Sequence, residues 1–195
     1  MQTREEWLNS AVHEMRGLFI DKGRPVPEKV RVSCGFPGGR GNKRTTIGQC
    51  WQPAASADNH HEIFISPRIA DGGEVLAILA HELCHAALPP GTGHKKPFAT
   101  LAYSLGLEGK PTATVAGPAF KQYSDGLMAS LGAYPHGALS DAGSGIKKQT
   151  TRMIKCTCAE CGYTVRTTAK WLAVGVPHCP EHGEMVADSG EGDGE

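Results

Sequence analysis

A chain of 195 residues has room for one core of about 130–150 residues plus a small accessory module, not for two full-sized domains. Twenty basic against twenty acidic residues leave no net charge, so the overall balance draws in neither nucleic acid nor membrane, and any electrostatic partner must meet a local patch. No apolar run nears the ~20 residues of a membrane span and residues 1–6 lack a signal pattern, so a cytoplasmic protein without membrane contact is expected, and a monomer.

Over residues 4–21, Trp7, Leu8, Val12, Met15, Leu18 and Phe19 recur at helical spacing until Gly23 and Pro25 close the pattern, which predicts an amphipathic helix. Two short β-branched and apolar segments, 30–36 and 45–51, flank a Gly-rich basic connection with Arg40, Lys43 and Arg44, and read as a hairpin. A third strand over 62–66 ends at Pro67. Asp71 stands three residues before Glu74 at the head of Val75, Leu76, Ile78 and Leu79, the spacing of a capping box. That helix should run to about Leu88, where Pro89 and Pro90 forbid continuation. Helices from about 96 to 105 and 118 to 131 follow, and the Gly-, Ala-, Ser- and Pro-rich stretch 132–149 reads as a linker. The class is therefore α+β.

The segment His81-Glu82-Leu83-Cys84-His85 carries the chemistry. Residues four apart share a helix face, so both imidazoles can reach one Zn²⁺ while Glu82, about 100° around, sits beside the open position. With 9 His and 13 Glu in the chain, about 0.03 chance matches to this pattern are expected. A metzincin would place Gly and His where Leu88 and Gly91 stand, so that class is excluded. Two candidates remain for a third ligand. His94 follows His85 by nine residues across a Gly- and Pro-containing loop that can turn back, and is favoured; Glu108, just past the expected end of a helix, is the alternative. Cys84 reads as a small buried hydrophobe, and Tyr103 and Tyr123 are candidates for a second oxyanion donor.

These residues resemble the SprT-like zinc metallopeptidases, a family that includes the Spartan-type DNA–protein crosslink proteases. The similarity covers roughly residues 60–106: a strand ending Ile65-Ser66-Pro67, the helix bearing His81-Glu82-Leu83-Cys84-His85-Ala86, and His94 followed four residues on by Phe98. The phrase Gly106-Leu107-Glu108-Gly109-Lys110 and the C-terminal segment look like phage- or actinobacterium-type members, and a phage-encoded protein would act in the host cytoplasm. The family's third histidine is commonly followed by Gly, whereas Lys95 follows here. The resemblance implies a zincin-like core, with a small sheet packed on the helix, in which His81, His85 and His94 hold zinc and Glu82 is the catalytic base. Glu82 would take a proton from the attacking water and pass it to the leaving amine. The strand over 62–66, if it is the sheet edge, could pair with an extended substrate.

The last quarter adds a second metal signature. Cys158-Ala-Glu-Cys161 and Cys179-Pro-Glu-His182 are two x₂ pairs separated by 17 residues, the spacing of a zinc ribbon, with Cys156 an alternative to Cys158. Lys147, Lys148, Arg152, Lys155, Arg166 and Lys170 with Trp171 make this module basic and aromatic, a platform suited to single-stranded DNA. The expected organisation is a metallopeptidase domain over 1–131, a linker over 132–149, a zinc ribbon over 150–186 and an acidic disordered tail over 187–195. The expected function is a zinc endopeptidase acting on protein near nucleic acid, with one catalytic and one structural zinc. A non-catalytic zinc-binding nucleic-acid adaptor is the alternative, and a ribbon protein whose first domain only scaffolds is a third reading.

Overall fold

The computed structural model describes residues 2–38, 46–140 and 153–188. The chain divides into two compact units, Met1–Asp141 and Ala142–Glu195, in a mixed α+β arrangement with small sheets.

The first unit opens with α1 (Arg4–Asp21). Its start is fixed by a reciprocal cap in which Thr3 Oγ1 accepts from the Glu6 backbone and the Glu6 carboxylate accepts from the Thr3 backbone. The stripe Trp7, Leu8, Ala11, Val12, Met15 and Phe19 is buried. Next come β1 (Val30–Cys34), β2 (Gly48–Trp51) and β3 (His61–Ile65), with β3 in the centre, parallel to β1 and antiparallel to β2. This corrects the expected hairpin. The two segments read as hairpin partners lie on opposite sides of β3, whose backbone groups pair with both, while its alternate residues His61, Ile63 and Ile65 face the core. It also corrects the expected sheet edge: the edge strand beside the site is β2. Residues 39–45, with Arg40, Lys43 and Arg44, lie outside the described residues.

The helix α2 (Gly72–Ala87) begins as expected at Asp71, whose Oδ1 accepts from the Glu74 backbone at 2.8 Å. It is apolar almost all round because it runs through the middle of the unit, against α1, β2 and β3 and against α3 (Lys96–Ser104), β5 (Ala113–Ala116) and α4 (Pro118–Leu131). Trp7, Phe19, Phe98 and Phe120 are fully buried around it, each contributing about 1.5–3 kcal/mol by the area it removes from water. Between α3 and α4, β4 (Leu107–Lys110) and β5 form a two-stranded antiparallel sheet.

The first unit runs past Leu131. The indole N–H of Trp7 donates to Gly132 O at 3.0 Å, Tyr134 is buried with its ring 5.0 Å from Trp7, and His136 Nε2 donates to Pro67 O at 2.7 Å. Residues 132–140 are thus irregular chain anchored to the first unit at Gly132, Tyr134, His136 and Leu139, and composition alone could not distinguish that from a linker. The rest of the expected linker, together with Lys147, Lys148 and Arg152, lies outside the described residues.

The second unit pairs β6 (Met153–Thr157) with β7 (Thr164–Thr168) and, on its other side, with β10 (Val186–Ala187); β8 (His178–Cys179) and β9 (Gly183–Glu184) form a second small ladder. A short helical turn, α5 (Ala169–Leu172), follows β7. Asp188 N–H donates to Lys155 O and Ala187 pairs with Cys156, so residues 187 and 188 pair within the second unit, whereas the expected tail began at 187. Residues 189–195 lie outside the described residues. The core is Cys156, Cys158, Cys179 and Met185. No helix among the described residues is long and apolar enough to cross a membrane.

Candidate metal centres

One turn of α2 presents His81 and His85 to the same side, and the loop that follows brings the third imidazole to them. Pro89 and Pro90 stop the helix, and the turn back requires left-handed backbone at Gly91 (φ 80°) and Gly93 (φ 54°), which place His94 just before α3. His94 Nε2 stands 3.2 Å from both His81 Nε2 and His85 Nε2. Three imidazole nitrogens therefore converge on one point, a group able to hold a metal ion. Buried Phe98, four residues after His94, stacks on His85 at 4.4 Å and meets His81 and His94 edge-on at 4.8 and 4.9 Å, which restricts all three rings.

Burial lowers the pKa of all three histidines, His81 to about 3 and His85 to about 4, and for these two the neighbouring imidazoles add to it. The lone pairs are thereby free for a ligand. Glu82 is 6% exposed, and burial pushes its carboxyl up to about 8. It lines the same cleft of about 640 Å³ as the three histidines, with Gly48 and Cys50 of β2 on one wall and Thr112 and Thr114 on another. Cys50 stays a thiol, since burial and nearby Glu82 push it up to about 12. Cys84 is fully buried, as expected.

Gly48 brings the edge strand onto the helix. A Cβ there would lie 2.5 Å from Glu82 Oε1 and 2.6 Å from Ile78 Cγ2, so only glycine permits this approach. Glu108 belongs elsewhere: it sits in β4 with its carboxyl group against Gly117, outside the histidine group. Tyr103 donates to Gly109 O at 2.9 Å and Tyr123 lies beside Phe120, and neither lines the cleft.

Two contributors escaped the sequence reading. Gly48 carries no local signal. Thr114, whose Oγ1 is 2.8 Å from His81 Nδ1, sits on β5, a four-residue strand with no buried residue and so little apolar signal.

In the second unit, Cys158, Cys161, Cys179 and His182 place their ligand atoms within 4.8 Å of one another. Cys161 Sγ is 3.6 Å from Cys179 Sγ, which is 3.6 Å from His182 Nδ1. Backbone N–H groups of Cys161 and Glu160 hold the Cys158 thiol below the usual range, favouring the thiolate. Cys156, one residue before the end of β6, is buried in the small core, and Cys158 takes the place in the group. Lys155 stands directly opposite Arg166 on the exposed face of β6 and β7, Lys170 lies 5.0 Å over the Trp171 ring, and Trp171 is 59% exposed.

Comparison of the chain with models of known protein families, with curated proteins and with solved structures returned no match.

Proposed function

We propose that the protein is a zinc-dependent endopeptidase of SprT-like type, with a zincin-like core and a C-terminal zinc ribbon, acting on extended segments of cytoplasmic protein. The observation that carries this reading is the convergence of three neutral imidazole nitrogens beside a buried carboxyl group in an open cleft. The donor sets suit zinc. Nitrogens about 2.0–2.1 Å from a tetrahedral ion stand about 3.3–3.4 Å apart and sulfurs at about 2.3 Å stand about 3.8 Å apart, against 3.2 and 3.6 Å here.

Bound at the histidines, zinc supplies Lewis acidity toward a scissile carbonyl and an attacking water. The chain's own residues do the rest. Glu82, buried in the same cleft as the three imidazoles, would as a carboxylate take a proton from the water and return it to the leaving amine. The outer edge of β2, which no other strand among the described residues pairs, offers its backbone groups to an extended substrate, and Gly48 holds that edge against Glu82. His81, His85 and His94 orient the ion, and Phe98 holds their rings.

The test is cleavage of unfolded casein by zinc-loaded protein, wild type against Glu82→Gln. The variant should retain both metals and lose cleavage. Equal cleavage by both proteins would remove Glu82 from the mechanism, and two bound zincs with no cleavage by the wild type would favour the adaptor reading. That second reading rests on the ribbon. Like charges directly opposite across a ladder repel, and the pair Lys155 and Arg166, with Lys170 over the exposed ring of Trp171 in the same unit, suits a phosphate backbone with stacked bases, such as single-stranded DNA.

A further inference from the structure

We propose that Thr114 is the positioning residue that decides which ring nitrogen of His81 faces the metal, an inference that rests on the three-histidine reading of the site. A neutral imidazole has one N–H and one lone pair, and a partner at one nitrogen settles what the other can do. His81 Nδ1 stands 2.8 Å from Thr114 Oγ1, and its Nε2 faces the point shared with His94 and His85. Were the hydroxyl to donate to Nδ1, the proton would sit on Nε2 and point into the metal position. With the hydroxyl accepting, Nδ1 keeps the proton and the Nε2 lone pair is free. The hydrogen bond can therefore run in one direction when metal is held. Among the described residues neither His85 nor His94 has an equivalent partner, so His81 is the ligand whose tautomer the protein sets.

The strand delivering this hydroxyl is tied to the helix delivering the third ligand. Thr114 pairs with Gly109 across β5 and β4, and Tyr103 of α3 donates its hydroxyl to Gly109 O at 2.9 Å. The helix α3 starts two residues after His94. One helix thus supports both His94 and, through Tyr103 and Gly109, the residue that orients His81. The β-branch at Thr114 narrows its side-chain rotamers and aims the hydroxyl.

Partners of this kind change metal affinity by about 10–100-fold. The test is zinc affinity of the full chain by competition with a chromophoric chelator, the ribbon zinc serving as internal reference. Thr114→Val keeps the shape and removes the hydroxyl, and should weaken the histidine site 10- to 100-fold. Thr114→Ser should restore most of the affinity. In zinc-loaded, ¹⁵N-labelled wild type the His81 Nδ1–H should give a slowly exchanging resonance that Thr114→Val loses. Equal zinc affinity of Thr114→Val and wild type, or a Thr114→Ser variant as weak as Thr114→Val, would overturn the assignment while leaving the endopeptidase reading intact. A wild-type chain that takes up zinc at the ribbon alone would overturn both.

Discussion

Replacing Gly48 by alanine tests how closely the edge strand must approach the helix. The added Cβ would lie 2.5 Å from Glu82 Oε1 and 2.6 Å from Ile78 Cγ2, where ordinary contact begins near 3.4 Å, so about 0.9 Å of movement is required. Ile78 is 7% and Glu82 6% exposed and both border the cleft, so the clash is relieved by the strand moving off the helix or by the Glu82 carboxyl group turning into that space. The strand or the carboxyl group must shift by close to 1 Å, a displacement that typically lowers a catalysed rate about 100-fold, or about 2.7 kcal/mol in the barrier. Overpacking should also destabilise the fold by about 1–3 kcal/mol. Initial rates on quenched fluorescent casein, zinc content and a thermal melt separate these effects. Cleavage should fall about 100-fold while zinc stays bound. Gly17→Ala and Gly126→Ala, at helix positions with nothing within 4 Å, should leave cleavage unchanged and stabilise by about 0.5–1 kcal/mol. A Gly48→Ala protein that cleaves within twofold of wild type would refute the reasoning.

His94→Ala should reduce zinc from two per chain to one, whereas Glu108→Ala should leave two; elemental analysis reads the ratio, and the reverse result would assign the third ligand to Glu108. Cys161→Ser, or removal of metal by chelator, should unfold the ribbon, because its core is only four buried side chains and metal must supply the folding free energy. Amide resonances of residues 153–188 should then collapse, and their persistence would show a ribbon stable without metal. Trp171→Ala should weaken single-stranded DNA binding about 5- to 150-fold with the salt slope unchanged, while Lys155→Ala and Arg166→Ala should each reduce the log–log slope by about 0.7. Binding insensitive to salt in anisotropy titrations would remove the nucleic-acid reading.

The helices and both ligand groups were legible because their signals are local. A cap three residues from Glu74, a pair of prolines and a pair of histidines four apart are each contained within one turn of chain. The strand order was not legible, because the alternation in β3 says which residues face the core and nothing about which strand lies beside it. Gly48 was invisible for a related reason: what it accommodates, Glu82, lies 34 residues away. The hairpin bearing Thr114 was missed because four-residue strands containing Gly109 and Lys110 present little apolar pattern. The role of residues 132–140 was hidden because their backbone is irregular and their anchors, Trp7 and Pro67, are remote.

That last segment governs how the chain can be taken apart. It fastens the beginning of the first helix and the exit of the central strand with the residues that leave the last helix, so the fold closes like a belt whose buckle lies near Gly132 and His136. A fragment ending with α4 at Leu131 would strip the cover from Trp7 and leave a buried indole N–H without its acceptor, a loss of about 1–3 kcal/mol from the hydrogen bond alone, with the burial of Tyr134 lost in addition. Loss of metal or activity in such a fragment would report on the missing belt and not on the cleft. Dividing the two units cleanly therefore means cutting after residue 140.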